Sequence, residues 1–311
     1  MKKLDKCCDS NLRLPPSDIR HPTSDFLLPV FFTIFDAMHT ATSVGLLVET
    51  ATIPSEPLSR TVTVDFYLPS NISNTENLHL LLINDGQDLP VMGFDKMLGH
   101  LLQSGAISPL LCVGIHCGED RKNEYGMLIS PDFKGRGAKA VEYRQFIFEE
   151  LLPYLYKQYN ITGFKEKAFA GFSLGALSAL DLVWNHPDVF SKAGVFSGSL
   201  WWRSKDKSEK EYNQDTDRLM HRQLRKGNFI PGMQFFFECG ELDEAEDRNK
   251  NGVIDSIDDT IDLMRILLAK GYLEGKDFQY LQLPDGKHDV PTWGRAMPEF
   301  LKWGWGKEKS V

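Results

Sequence analysis

The 311-residue chain has only five cysteines, an odd number, at Cys7, Cys8, Cys112, Cys117 and Cys239. None of the spacings suits a zinc site, and scattered thiols in odd number do not make a disulfide framework. Cys112 and Cys117 lie on or just past one expected strand, an odd number of residues apart, so they should face opposite sides. Reduced thiols in a reducing compartment are the expectation. No basic block offsets the net charge of −8, so nucleic acid and anionic membrane are not expected partners. The apolar stretch "FLLPVFFTIF" (Phe26–Phe35) is interrupted by Pro29 and falls well short of the roughly 20 residues a bilayer requires. It reads as a buried arm. The opening "MKKLDKCCDSNLRLPPSD" lacks the apolar centre of a signal peptide, which makes cytoplasmic localisation the expectation. No internal repeat, low-complexity tract or long linker breaks the chain. The sequence sets no oligomeric state.

Hydrophobic content of 42% against 25% charge allows a sizeable core. Residues 1–40 read as an irregular N-terminal arm and residues 41–311 as one domain. "SVGLLVETATI" (43–53) and "SRTVTVDFYLP" (59–69) are rich in β-branched residues and predict an antiparallel pair. Beyond Leu78 the pattern changes to short, continuously apolar runs at 79–84, 110–115, 167–172, 193–197, 233–240 and 278–283. Continuous apolarity suits strands covered on both faces. Helical periods separate them at 140–159, 174–186 and 260–271. The alternation predicts an α/β fold: a mainly parallel sheet with helices on both faces, preceded by the antiparallel pair.

One strand-to-helix junction carries chemistry. Gly171-Phe172-Ser173-Leu174-Gly175 is a G-x-S-x-G turn, directly after an apolar run and before a helix of small residues. Glycines on both sides allow a strained serine to stand above the strand ends. The Leu174 amide opens the helix, where it can donate to an oxyanion. A serine nucleophile needs a base oriented by an acid, and in the α/β-hydrolase order both follow it. His288, on a glycine-containing loop between the last apolar run and a helix, is the candidate base. His116 is the runner-up base or a substrate contact. The acid is expected just past the run at 233–240, where Glu241, Asp243, Glu244 and Asp247 all qualify. A short turn after Gly240 favours Asp243, with Glu241 second.

The same acidic stretch contains Asp247-x-Asn249-x-Asn251-Gly252, then five residues and Asp258. This is the calcium-loop pattern with Asp replacing the final Glu. The oxygens would come from Asp247, Asn249, Asn251, Asp255 and Asp258, with the Val253 carbonyl at the seventh position. A structural Ca²⁺ or Mg²⁺ here would hold the loop that carries Asp243, and an empty loop closed by Asx turns is the alternative. Catalysis itself would need no cofactor. The loop has no His or Cys, which argues against a zinc hydrolase.

These pieces resemble the esterase family that includes enterochelin esterases, esterase D (S-formylglutathione hydrolase) and feruloyl esterase domains. The likeness rests on "LLINDGQ" (81–87), "RKNEYG" (121–126), "FIFEELLPYLYKQY" (146–159), "AGFSLGALSALDLVWNHPDVFSKAGVFSGSLWW" (170–202) and "GKHDVPTW" (286–293), within residues 60–305. It implies an α/β-hydrolase fold and ester hydrolysis by Ser173, Asp243 and His288, on siderophore-type, feruloyl or acetyl esters. It implies the Gln87 amide as second oxyanion donor, Trp201 and Trp202 lining the substrate cleft, and Arg121 and Glu124 bracing a loop. The calcium-like insertion is not a general feature of that family. An acyltransferase on the same triad, or an inactive protein binding a carbohydrate or aromatic ligand in the tryptophan cleft, are the alternatives.

Overall fold

The computed structural model describes residues 38–41, 45–70 and 77–307. Cys7, Cys8, the Phe26–Phe35 stretch and nearly all of the expected N-terminal arm lie outside the described residues. The strands are β1 (Met38–Ala41), β2 (Leu46–Ser55), β3 (Arg60–Pro69), β4 (His79–Asn84), β5 (Leu110–Ile115), β6 (Lys167–Phe172), β7 (Lys192–Phe196), β8 (Gln234–Leu242) and β9 (Phe278–Lys287). The helices are α1 (Phe94–Gln103), α2 (Arg121–Glu124), α3 (Ala140–Gln145), α4 (Leu152–Gln158), α5 (Leu174–Asn185), α6 (Gln214–Asp217), α7 (Leu219–Lys226), α8 (Asp255–Lys270) and α9 (Val290–Trp305).

Among the described residues one nine-stranded sheet runs β1-β2-β3-β5-β4-β6-β7-β8-β9. From β5 to β9 in this order every pairing is parallel. The segments β1, β2 and β3 add an antiparallel edge. This is the expected architecture with one addition: residues 38–41, assigned mostly to the arm, pair with β2.

Alternation along each central strand feeds two cores. Leu80 and Leu82 of β4 enter a core with α5 and α7, while Leu81 and Ile83 enter one with α1 and α9. All four are fully buried. Side chains of a strand point alternately to opposite faces, so a strand covered twice reads as unbroken apolar sequence.

Two element boundaries differ from expectation. The helix expected over 140–159 is interrupted by a π-helical turn, Phe146–Leu151, between α3 and α4. Pro153 has no N–H to give the preceding turn, and its ring crowds that turn, so the helical register widens there. Helix α8 begins at Asp255, not 260, and its first turn carries Asp255 and Asp258. Carboxylates are favoured at a helix N-terminus by the unpaired amides and the helix dipole.

The end of β8 sets the path of the acidic segment. Its register against β9 shifts between Gly240 and Leu242. A Cβ on Gly240 would lie 2.4 Å from both the carbonyl carbon and oxygen of Gly286, and 2.7 Å from Asp243 Oδ1. Only two facing glycines permit this crossing, and the bulge turns the chain so that Asp243 returns beside the end of β9. Gly240→Ala should therefore force the two strand ends apart, with a stability loss of about 1–3 kcal/mol. Comparing chemical denaturation midpoints of the variant and parent checks this.

Candidate active site

Ser173 stands at the turn from β6 into α5 with φ 56° and ψ −118°. That conformation is costly for a residue with a Cβ and persists only when its surroundings enforce it. They do so here through backbone contacts. Ser173 N–H donates to the Phe196 carbonyl (3.0 Å), and the Ser173 carbonyl accepts from Ser199 N–H (3.1 Å). A Cβ on Gly171 would lie 2.5 Å from the Gly175 carbonyl carbon, so strand and helix meet at van der Waals limits. Asn84 Nδ2 donates to the Gly175 carbonyl (2.7 Å). The hydroxyl of Ser173 is partly exposed and lies 3.4 Å from Ser199 Oγ. Leu174 is the first residue of α5, where an amide has no acceptor inside the helix.

His288 immediately follows β9 and precedes Asp289, whose carboxylate caps α9 by accepting from Thr292 N–H (3.0 Å). The imidazole meets Trp293 edge to face at 5.3 Å between centroids. Trp293 stacks on Phe172, the residue before the serine, at 5.0 Å. One indole thus lies against both the elbow and the imidazole. His288 is exposed, with Trp293 packed along one side of its ring. Burial and the Arg121 cation lower its pKa, against the pull of the Asp243 carboxylate upward.

The four candidate acids part ways. Asp243 interacts electrostatically with His288, and both its carboxylate oxygens are buried, with no closed hydrogen bond to either. Burial raises its pKa, opposed by the Ser197 hydroxyl and His288. Glu241 is exposed and accepts from Gln282 Nε2 (2.7 Å) on β9. Glu244 accepts from Ser256 N–H (2.6 Å) in the first turn of α8. Asp247 accepts from the amides of Asn251 and Gly252. His116 is engaged elsewhere: its Nε2 lies 2.6 Å from Asp65 Oδ2.

Gln87 lies in a short 3₁₀ turn, Gly86–Asp88, after β4. Its side chain accepts from Cys117 N–H (3.1 Å), which fixes the turn against the end of β5. Asp85, at φ 61°, is clamped by Arg121 through Nε–Oδ1 (2.6 Å) and Nη2–Oδ2 (2.7 Å). The same Nη2 reaches the Phe172 carbonyl at 3.3 Å. Arg121 therefore fastens the Gln87 loop to the elbow strand. Glu124 instead binds Arg60 with two bonds of 2.6 Å. Arg121's proximity to His288, and the roles of Ser197, Ser199 and Trp293, were not legible as site features. Their only signal was their place in "SGSLWW" and "GKHDVPTW".

Two expectations need correction. Trp202 is fully buried, with its ring against Gly126 and Gly137, so it does not line a cleft. Trp201 is only partly buried and lies beneath the Arg136 guanidinium (4.7 Å). In the acidic loop, Asp255 turns inward, accepts from Arg248 N–H (2.8 Å) and pairs with the Arg248 guanidinium (3.5 Å). It is not free to act as a ligand. The rest of the loop closes on itself: Asn249 Nδ2 and Asn251 Nδ2 both donate to Asp258 Oδ2 (2.8 and 2.9 Å), and Val253 N–H donates to Asn251 Oδ1 (2.8 Å). Among the described residues no group of three or more His, Cys, Asp or Glu side chains is arranged to hold a metal ion.

A family model described as "Putative esterase" matches residues 55–303. The uncharacterized protein YjcH of Bacillus subtilis (strain 168) is 24% identical over 254 residues, 80% of this chain and 93% of that protein. A solved ferulic acid esterase superposes with a TM-score of 0.58 at 19% identity, over 82% of this chain and 96% of its own. The enterobactin esterase FES from Shigella flexneri, solved in the presence of enterobactin, gives 0.62 at 18% identity, over 85% and 59%. At these identities the structural likeness is one of fold. The family match covers most of the chain, which belongs to this esterase family of carboxylic ester hydrolases.

Proposed function

We propose that the protein hydrolyses carboxylic esters through an acyl-enzyme on Ser173, with His288 as general base and then general acid, and Asp243 as the carboxylate behind it. The observation that carries this reading is the strained Ser173 elbow stacked, through Phe172 and Trp293, against the imidazole of His288. Ser173 Oγ attacks the ester carbonyl as His288 accepts its proton. The imidazolium is stabilised by Asp243, and the tetrahedral oxyanion receives the Leu174 and Gln87 amides. One such donor is typically worth about 3 kcal/mol of barrier. The protonated imidazole returns its proton to the leaving alcohol. Water then repeats the sequence and frees the acid. The chemistry calls for no metal.

The substrate class we favour is an ester of an aromatic acid. Trp201 is partly exposed, two residues from Ser199, whose hydroxyl touches that of Ser173. Guanidinium groups of Arg136 and Arg203 lie over its ring at 4.7 and 6.0 Å. The ferulic acid esterase that shares the fold is named for an acid of this kind.

Ser173→Ala should lower kcat/KM for p-nitrophenyl acetate and for an aromatic ester by roughly 10⁴-fold or more, with an unchanged circular dichroism spectrum. Parental turnover in that variant would end the proposal. The pH profile gives a second check. A base must be neutral to accept a proton, and burial and Arg121 hold the His288 pKa down. The acidic limb of kcat/KM should lie below the usual imidazole value of about 6.5. Asp243→Asn removes the group that raises that pKa, so its limb should move to still lower pH, with a rate loss of up to about 10⁴-fold. An acidic limb that does not move in Asp243→Asn contradicts the pairing of His288 with Asp243.

A further inference from the structure

A second carboxyl group is sealed behind the proposed acid. Glu238 lies on β8, 1% exposed, with its backbone paired to Phe196 of β7. Its Oε1 has no hydrogen-bond partner, and its Oε2 lies 3.4 Å from Ser197 Oγ. That is longer than a closed O–H···O hydrogen bond, which runs about 2.6–2.8 Å. Ser197 is itself buried and held at φ 44°, with its N–H on the Glu238 carbonyl (2.9 Å). Its hydroxyl also accepts from Trp293 Nε1–H (2.9 Å), the indole against which His288 packs. Asp243 faces the same hydroxyl on one side and the Gly240 backbone on the other. Two carboxyl groups and one hydroxyl therefore share one enclosure.

Like charges in such a space do not both ionise readily. Burial, and next the charge of Asp243, push Glu238 up to about 8. The other groups acting on it do not reverse this. Tyr280 and Cys239 are held undissociated by burial. Arg295 of α9 is exposed and paired with Asp285. His288 and Asp289 act on Asp243 rather than on Glu238.

We infer that Glu238 is a neutral carboxylic acid that positions Asp243 through Ser197: the Glu238 O–H donates to Ser197 Oγ, and the Ser197 O–H donates to the Asp243 carboxylate. Ser197 then accepts from Glu238 and Trp293 and donates once, which uses its full hydrogen-bonding capacity. The charge of the pair stays on Asp243, beside the imidazole that needs it. Glu238 touches no substrate. This inference rests on the assignment of Asp243 and His288 as acid and base.

The test compares Glu238→Gln with Glu238→Ala in the full chain. The Gln amide can donate to Ser197 as the acid does, and Ala cannot. Glu238→Ala should lose at least tenfold in kcat at nearly unchanged KM, and Glu238→Gln should restore kcat to within about threefold of the parent. Thermal unfolding reads the protonation state independently. A carboxyl whose pKa rises on folding from 4.5 to about 8 gives stability that is complete below pH 4.5 and is lost as pH rises to about 8. The melting temperature of Glu238→Gln should therefore gain on the parent across that window and run parallel to it above. Equal damage by Gln and Ala would show that an ionised Glu238 is required. Loss of melting temperature alone in Glu238→Ala would show a purely structural role. A pH-independent difference in melting temperature would show that Glu238 is already ionised. Each of these overturns the inference. Asp243→Asn and His288→Ala serve as controls. Activity surviving in both refutes the triad, while the melting profiles still report on Glu238.

Discussion

The Gly175 carbonyl occupies the space where any side chain on Gly171 would stand, and this contact binds strand, Ser173 and helix into one rigid unit. Its effect is to hold Ser173 in a backbone conformation that a free chain would leave. The restraint is shared by the Phe196 carbonyl and the Ser199 amide at the end of β7, and by the Asn84 side chain at the end of β4. No single loop could supply these. A strained serine therefore depends on the neighbouring parallel strands β4, β6 and β7 keeping their register, which is why the site stands on the sheet rather than on a flexible surface. The same crowding raises Oγ above the strand ends and leaves the first amide of α5 without a helical acceptor.

Electrostatics adds what packing cannot. Burial holds the His288 pKa down against the upward pull of the Asp243 and Asp289 carboxylates, and the Arg121 cation adds to the lowering. Arg121 serves both sides of this balance. It pairs with Asp85 beside the Gln87 turn, where we propose an oxyanion donor, and its charge opposes protonation of His288. Glu238 contributes by keeping a proton, so that one negative charge, not two, stands behind the imidazole.

The fold was legible where physics acts locally or with a period. Strands covered on both faces announce themselves as unbroken apolar runs, and the elbow announces itself by glycines flanking a serine. The short turn expected after Gly240 is present, with Asp243 N–H on the Gly240 carbonyl (3.3 Å). Features created by distant residues were not readable. The burial of Trp202 depends on Gly126 and Gly137, far away along the chain. Ser197, Trp293 and Glu238 meet only because β7, β8 and α9 pack together. The inward turn of Asp255 depends on Arg248, whose charge the calcium-loop pattern does not weigh.

That last case bears on how the acid is held. A metal ion would gather the carboxylates of the loop through its charge. Here guanidinium groups do much of that work. Arg248 binds both Asp255 and Asp259, while the fully buried Arg218 binds Asp259 and Asp262 of the same helix. Arg218 Nε also donates to the Gln214 carbonyl of α6 (2.9 Å). A buried ion pair gives up its hydration and recovers the cost only in tight, multiply bonded geometry, which is the geometry found. Its gain lies in specificity more than in stability. The start of α8 can occupy one position relative to β8, and the short bridge between them, which contains Asp243, is fixed at both ends. Asp243 is thus held by a glycine crossing on one side and by a cationic clamp on the other.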